Sequence, residues 1–234
     1  MTPGPLKLLS SMATRELLRE LVARFRLDTG RTVIDAAAGG VDVARRVQDG
    51  EAVDIVVLAS SAIDKLIVQG SLIAGSRVDL VKSGIAIDVR ANSPKPNIGS
   101  EDDVKSAVLA ARTVSYSTGP SGVYLEKVFE RWGISAAVRN RIVVPPPGTA
   151  VASLVASGTA DLGFQQLSEL TNVTGIEVVG PLPPAIQSLT TFSGGISVRC
   201  ADPAAARQLL VYMASPATVA AKHRHGMEAA TARE

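Results

Sequence analysis

The chain has 234 residues, a formal charge of +2, 46% apolar residues and only 3% aromatic ones. That length fits one large domain or two lobes of roughly 100 residues each, with a core of Val, Leu, Ile and Ala suited to parallel strands under helices. No basic block of the kind that tracks nucleic acid occurs, aromatic platforms for bases are few, the single cysteine excludes an internal disulfide, and no apolar run approaches the roughly 18 residues of a membrane span.

The opening "MTPGPLKLLSS" has no charged region followed by a long apolar one. The expectation is therefore a cytoplasmic protein as written, and a periplasmic one if a signal has been removed. "LKLLSS", residues 6–11, reads as a strand. Residues 12–29 read as an amphipathic helix with Leu17, Leu18, Leu21, Val22 and Phe25 on one face, closed by Gly30. "TVIDAAA" is a second strand, "VDVARRVQDG" a helix stopped by Gly50, "AVDIVVLA" a third strand and "SAIDKLIVQG" a helix stopped by Gly70. This alternation predicts βαβ units, right-handed crossovers and a mostly parallel sheet.

The character shifts after residue 75. "SGIAIDVRANSPKPNI" reads as a strand entering a proline-containing loop, and "SEDDVKSAVLAA" as a helix capped by Ser100 with acids in its first turn. "TVSYS" is a strand, "GPSGVYLEKVFERWG" a helix ended by Gly133, and "NRIVVPPPG" a strand running into three prolines. "TAVASLVASG" is a helix and "ADLGFQQ" a strand, completing a second βα set with its own core. "GIEVVGPLPPAIQ" then leads to "SLTTFSGGISV", a strand returning toward the first lobe, and "DPAAARQLLVYMAS" and "SPATVAAKHRH" are terminal helices.

Four strand-to-helix junctions are rich in Ser, Thr and Gly: Ser10-Ser11, Ala38-Gly39-Gly40, Ser60-Ser61, and Ser117-Thr118-Gly119-Pro120-Ser121-Gly122. In an open α/β sheet such junctions share one edge, outside the carboxyl ends of the strands. Each presents free helix-start N–H groups, the positive end of a helix dipole and hydroxyl donors, so a small anion could be held there without Lys or Arg. The same residue types also serve simply as N-caps and tight-turn formers. Gln165 and Gln166, at a strand end, could donate amide N–H bonds to a carboxylate or could form a surface turn.

Other motifs carry less. "GPSGV" is not a nucleophile elbow, "AAAGGVD" lacks the spaced glycines of a dinucleotide fingerprint, and no phosphate-loop pattern is present. Cys200, beside Arg199, reads as a strand-end filler. His223 and His225, without an evident acidic or Cys partner, read as a solvated helix end, and Asp54 as a group bonding within its turn or capping. No metal and no cofactor is expected.

The layout resembles the periplasmic molybdate-binding proteins, within the type II solute-binding class, over nearly the whole chain. The resemblance is carried by "SSMATRELLRELVARF", "VARRVQDGEAVDIVVLASSAIDKLIVQG", "GPSGVYLEKVFERWGI" and "VASLVASGTADLGF". It implies an α/β fold of two lobes, each a mostly parallel sheet flanked by helices, joined by crossing strands, with one anion in the cleft between them. Lobe I is then residues 1–83 with 191–234, and the inserted lobe II residues 84–190, hinged through the strands near residues 83–87 and 190–197. By position, Ser10, Ser11, Gly39, Gly40, Ser60, Ser61, Ser121, Gly122, Tyr124, Gln165 and Gln166 form the expected ligand set. Two positions depart from the family pattern. Ala38-Gly39-Gly40 stands where a serine is usual, and Gln166 where a tyrosine is usual. Both remove hydroxyls that would grip a tetrahedral oxyanion, and the second adds an amide, which suits a carboxylate.

The leading expectation is a solute-binding protein that captures a small anion, a carboxylate or an oxyanion such as molybdate. It would serve a transporter permease if exported, with no nucleic-acid partner and no membrane insertion. The rival is an isomerase of a small unsaturated polycarboxylate, which needs a base; Tyr124, Glu169 or a serine are the candidates. A third reading, a ligand-sensing domain detached from a transcription regulator, finds no DNA-binding helix pair ahead of residue 6.

Overall fold

A computed structural model describes residues 4–146 and 148–230. The outer limits expected for lobe I and the third proline of the "PPP" run, Pro147, lie outside the described residues. The chain forms two compact units, Met1–Ser83 with Thr191–Glu234, and Gly84–Thr190. Among the described residues no helix is long and apolar enough to cross a membrane.

The first unit opens with β1 (Leu6–Ser11), α1 (Arg15–Thr29), β2 (Val33–Ala38), α2 (Gly40–Gln48), β3 (Ile55–Ala59) and α3 (Ser60–Val68), and then enters β4 (Val78–Arg90). β1 lies between β2 and β3 and runs parallel to both, with Ser11 opposite Ala38 and Ser10 opposite Val57. The period-two pattern of these strands sorts their residues onto two covered faces. Leu6, Leu8, Ile55 and Val57 pack with Leu17, Leu21 and Phe25 of α1. Leu9, Val56 and Leu58 pack with Val43, Val47, Ile63 and Leu66 of α2 and α3. Each fully buried Leu, Val or Phe contributes about 1.5–3 kcal/mol. Gly30 ends α1 at φ 70°, the left-handed conformation a glycine adopts without penalty.

The second unit holds α4 (Glu101–Ala110), β5 (Val114–Tyr116), α5 (Pro120–Arg131), α6 (Ser135–Val138), α7 (Val151–Ala156), β6 (Leu162–Gln166), α8 (Leu167–Leu170) and β7 (Ile176–Pro181), and the chain leaves it through β8 (Leu189–Ile196). Ser100 caps α4 by accepting from the Asp103 N–H at 3.2 Å. β5 and β6 are parallel, while β4 runs antiparallel to both β6 and β7. Ile85, Ile87 and Val89 of β4 join Phe129, Phe164 and Val104 on one face, and Ala86 joins Ala152 and Leu170 on the other. α9 (Pro203–Ala214), α10 (Val219–Arg224) and β9 (Glu228–Ala229) complete the first unit, where β8 runs antiparallel to β3 and β9 to β4. Each of these antiparallel pairs contains β4 or β8, the strands by which the chain passes from one unit to the other and returns.

Several expectations are corrected. Residues 143–146 are not a strand; Ile142 makes only an isolated bridge to Val114, because the prolines that follow have no N–H to extend a ladder. α1 begins at Arg15, not residue 12, because Met12–Thr14 form a 3₁₀ turn in which the Thr14 hydroxyl donates to the Ser11 carbonyl at 3.2 Å. Asp54 bonds neither its own turn nor a helix start: its Oδ2 accepts the Lys7 N–H of β1 at 2.8 Å, and its own N–H donates to the Lys7 carbonyl at 2.9 Å. His225 is not a solvated end, since its Nε2 lies 2.8 Å from Glu20, which also receives Arg24 and Arg224 at 2.6 Å each. The partner on α1 is 205 residues away in sequence and so invisible to local inspection. Cys200 packs against the first unit's core, and burial pushes its thiol up to about 11, out of the reactive range.

Candidate functional site

The parallel set β2-β1-β3 aligns three serine- and glycine-bearing junctions along the carboxyl edge of the first unit's sheet. Ser10 and Ser11 end β1 and are both buried. Gly39 holds the cap position of α2 and Gly40 its first turn. A Cβ on Gly40 would lie 3.9 Å from the Ser11 Cβ, so the first two junctions are in contact range. Ser60 and Ser61 are the first two residues of α3, after Ala59 at the cap position. The cap residues of α2 and α3, Gly39 and Ala59, have no polar side chain; Ser60 and Ser61 lie inside α3 rather than at its cap, and Ser11, at the cap of the 3₁₀ turn, makes no side-chain cap bond. Among the described residues the hydroxyls of Ser10, Ser60 and Ser61 make no hydrogen bond, and that of Ser11 meets only the Thr14 hydroxyl, at 3.5 Å. Ser10, Ser60 and Ser61 therefore do not serve as side-chain caps here, and their hydroxyls stay open.

In the second unit, the adjacent parallel strands β5 and β6 carry two junctions. After β5, the Ser117 and Ser121 hydroxyls pair at 2.8 Å, and Gly119 caps α5 with Pro120 as its first residue. A Cβ on Gly122 would overlap the Ser117 carbonyl oxygen, so only glycine fits that close approach. Tyr116 is buried beside this loop and donates to Glu126 at 3.3 Å; burial, with the Glu126 charge, pushes its hydroxyl up to about 12, so it is a donor and not a base. Tyr124 is partly buried and donates its hydroxyl to the Ile186 carbonyl at 3.1 Å.

At the end of β6, Gln165 and Gln166 are 2% and 3% exposed, which rules out the surface turn. Gln165 Nε2 donates to Glu169 Oε2 at 2.5 Å while its Oε1 receives the Ala152 N–H at 3.4 Å. Gln166 Nε2 donates to the Thr190 hydroxyl at 2.9 Å, and its Oε1 is buried without a partner among the described residues. Thr14, Ser117 and Thr190 are the polar neighbours that sequence reading left out of the set; only Ser117, four residues before Ser121, carried a local signal. Among the described residues no group of three or more His, Cys, Asp and Glu side chains could hold a metal ion. The first unit's edge thus offers neutral O–H and N–H donors, chemistry that suits a small anion, while the side-chain donors named at the second unit's edge are engaged within that unit.

Residues 6–228 match the family described as bacterial extracellular solute-binding protein. The chain is 38% identical over 218 residues to aconitate isomerase of Pseudomonas sp, covering 90% of this chain and 82% of that protein. It is 26% identical over 212 residues to the molybdate-binding protein ModA of Azotobacter vinelandii, covering 85% and 80%. The solved structure of the Azotobacter vinelandii periplasmic molybdate-binding protein matches with a TM-score of 0.80 at 24% identity, covering 97% of this chain and 100% of that one. The chain, an α/β protein of the periplasmic-binding-protein type, belongs to the bacterial extracellular solute-binding protein family.

Proposed function

We propose that this protein captures a small polycarboxylate anion of the aconitate class, using the open donors of the serine and glycine junctions. The observation that carries this reading is the 38% identity, along 90% of the chain, to a protein named aconitate isomerase. One junction agrees with it: Ala38-Gly39-Gly40 replaces a hydroxyl of the molybdate pattern with backbone N–H groups. Desolvated hydrogen bonds to carboxylate oxygens are roughly twice as strong as neutral ones, so a few converging donors suffice. The family's description as extracellular favours the periplasmic side of the expected location and a transporter permease as partner. A thermal-shift comparison of cis- and trans-aconitate and citrate with molybdate, tungstate and sulfate tests the ligand class. Carboxylates should raise Tm, and Ser11→Ala with Ser61→Ala should abolish that shift. A response to the tetrahedral oxyanions alone would overturn the reading.

The same relative favours a second step, isomerisation of the bound ligand. A base would remove a proton from the methylene next to the double bond, the double bond would shift by one carbon, and the proton would return to the former vinyl carbon. We assign the base to Glu169, whose carboxylate is held by Gln165 at 2.5 Å. Tyr124 is a poor candidate because its hydroxyl proton is engaged by a carbonyl. Incubation with cis-aconitate in heavy water should give the trans isomer with deuterium incorporated, and Glu169→Gln should stop it. Binding without any exchange would leave a receptor and remove the enzyme reading.

A further inference from the structure

At the opposite edge of the first unit's sheet, where the parallel strands begin, lies a cavity of about 370 Å³. Its walls include Lys7 of β1, Arg31 just before β2, Asp54 just before β3, and Arg199 and Asp202 after β8. The two carboxylates are already committed. Asp54 receives the Lys7 backbone N–H at 2.8 Å. Asp202 caps α9 through the Ala205 N–H at 3.0 Å and receives Arg31 at 3.0 Å. The Ala205 N–H and then Arg31 hold the Asp202 carboxyl below its usual range, so it stays an anion that structure consumes.

The cations are not consumed to the same degree. Arg31 is largely buried and lines the cavity; one of its terminal N–H groups is held by Asp202, and its Nε has no hydrogen-bond partner among the described residues but is shut off from the open space. Arg199 leans over Gly50 and gives one N–H to its carbonyl at 2.9 Å, with no carboxylate partner among the described residues. The Lys7 ammonium forms no ion pair there either. Three cationic side chains therefore line this cavity, two of them guanidinium forks, and Lys7 and Arg199 have no carboxylate partner among the described residues.

We propose that this cavity is a second anion site, distinct from the serine junctions, that takes phosphate or the phosphate group of a small phosphomonoester. The proposal stands on this edge alone and does not depend on which ligand the junctions bind. The test is titration of the full-length protein with inorganic phosphate against chloride at matched ionic strength. It is read by Tm and by the guanidinium N–H resonances of Arg31 and Arg199. Phosphate should shift both resonances and raise Tm saturably, equally in wild type and in the Ser11→Ala, Ser61→Ala variant. Lys7→Gln with Arg199→Gln, both exposed positions, should weaken that response at least about tenfold. Two results would overturn it: a response lost in the serine variant but kept in the Lys7, Arg199 variant, or no phosphate effect beyond chloride on either readout.

Discussion

The two units treat polar groups at their strand ends in opposite ways. In the first, the serines that end β1 and follow β3 make no cap bonds, and Ser10, Ser60 and Ser61 keep their hydroxyls open. In the second, Ser117 and Ser121 satisfy each other, Gln165 holds Glu169, and Gly122 lets the loop fold onto its own backbone. One edge is ready to give hydrogen bonds; the other is pre-shaped by hydrogen bonds already made. The cores differ in the same spirit. The second unit buries a lone acid, Asp88, and the first a lone amine, Lys222, each with its charged atoms unpartnered among the described residues. A buried charge without a partner is disfavoured, so each group is driven toward its neutral form.

That contrast is sharpened most by pH. Burial pushes the Asp88 carboxyl up to about 7, its own backbone N–H pulling only slightly the other way. The folded chain then keeps a proton that the unfolded chain releases near pH 4. The stability this proton protects is present below about pH 4 and is lost as pH rises toward 7, by about 4 kcal/mol. Asp88→Asn should erase that slope, measured as the difference between variant and wild type in urea denaturation from pH 4.5 to 8; parallel curves would refute it. Desolvation lowers Lys222, so its contribution has the opposite slope: stability falls as pH drops from the ordinary lysine range toward the lowered value.

The next largest effect is expected at Gly122. Replacing an open helix glycine with alanine ordinarily stabilises by about 1 kcal/mol. Here the added carbon meets the Ser117 backbone, so Gly122→Ala should cost about 3 kcal/mol and disorder the junction after β5, seen as lost amide protection around residues 117–122. The smallest effects test the open and closed hydroxyls directly. Ser121→Ala breaks a bond in a buried setting and should cost about 1 kcal/mol. Ser61→Ala, at an exposed and uncommitted hydroxyl, should change stability by less than about 0.5 kcal/mol. Equal losses at the two positions would erase the distinction between the edges.

Much of this layout was legible from local pattern. Leu17, Leu18, Leu21, Val22 and Phe25 lie buried along one face of α1, as their spacing predicts, and Gly30, Gly70 and Gly133 sit at positive φ where helices were expected to stop. Strand ends rich in Ser and Gly marked the junctions. The two-residue β9, the four-residue α6 and α8, and the failure of "NRIVVPPPG" as a strand were not legible. Such brief segments have no periodicity long enough to read, and their pairing comes from distant partners.

The sequence alone determined the alternation of strand and helix, because hydrophobic period and glycine stops act over a few residues. It also determined that the strand ends would carry hydroxyls and glycines rather than charges. Only the tertiary structure decided which of those hydroxyls would stay open. Only it set His225 beside Glu20, Lys7 beside Asp54, and Asp88 in the space that the missing side chain of Gly163 leaves. Those pairings join residues tens to hundreds of positions apart, and their energies depend on burial and distance, which exist only once the chain has folded.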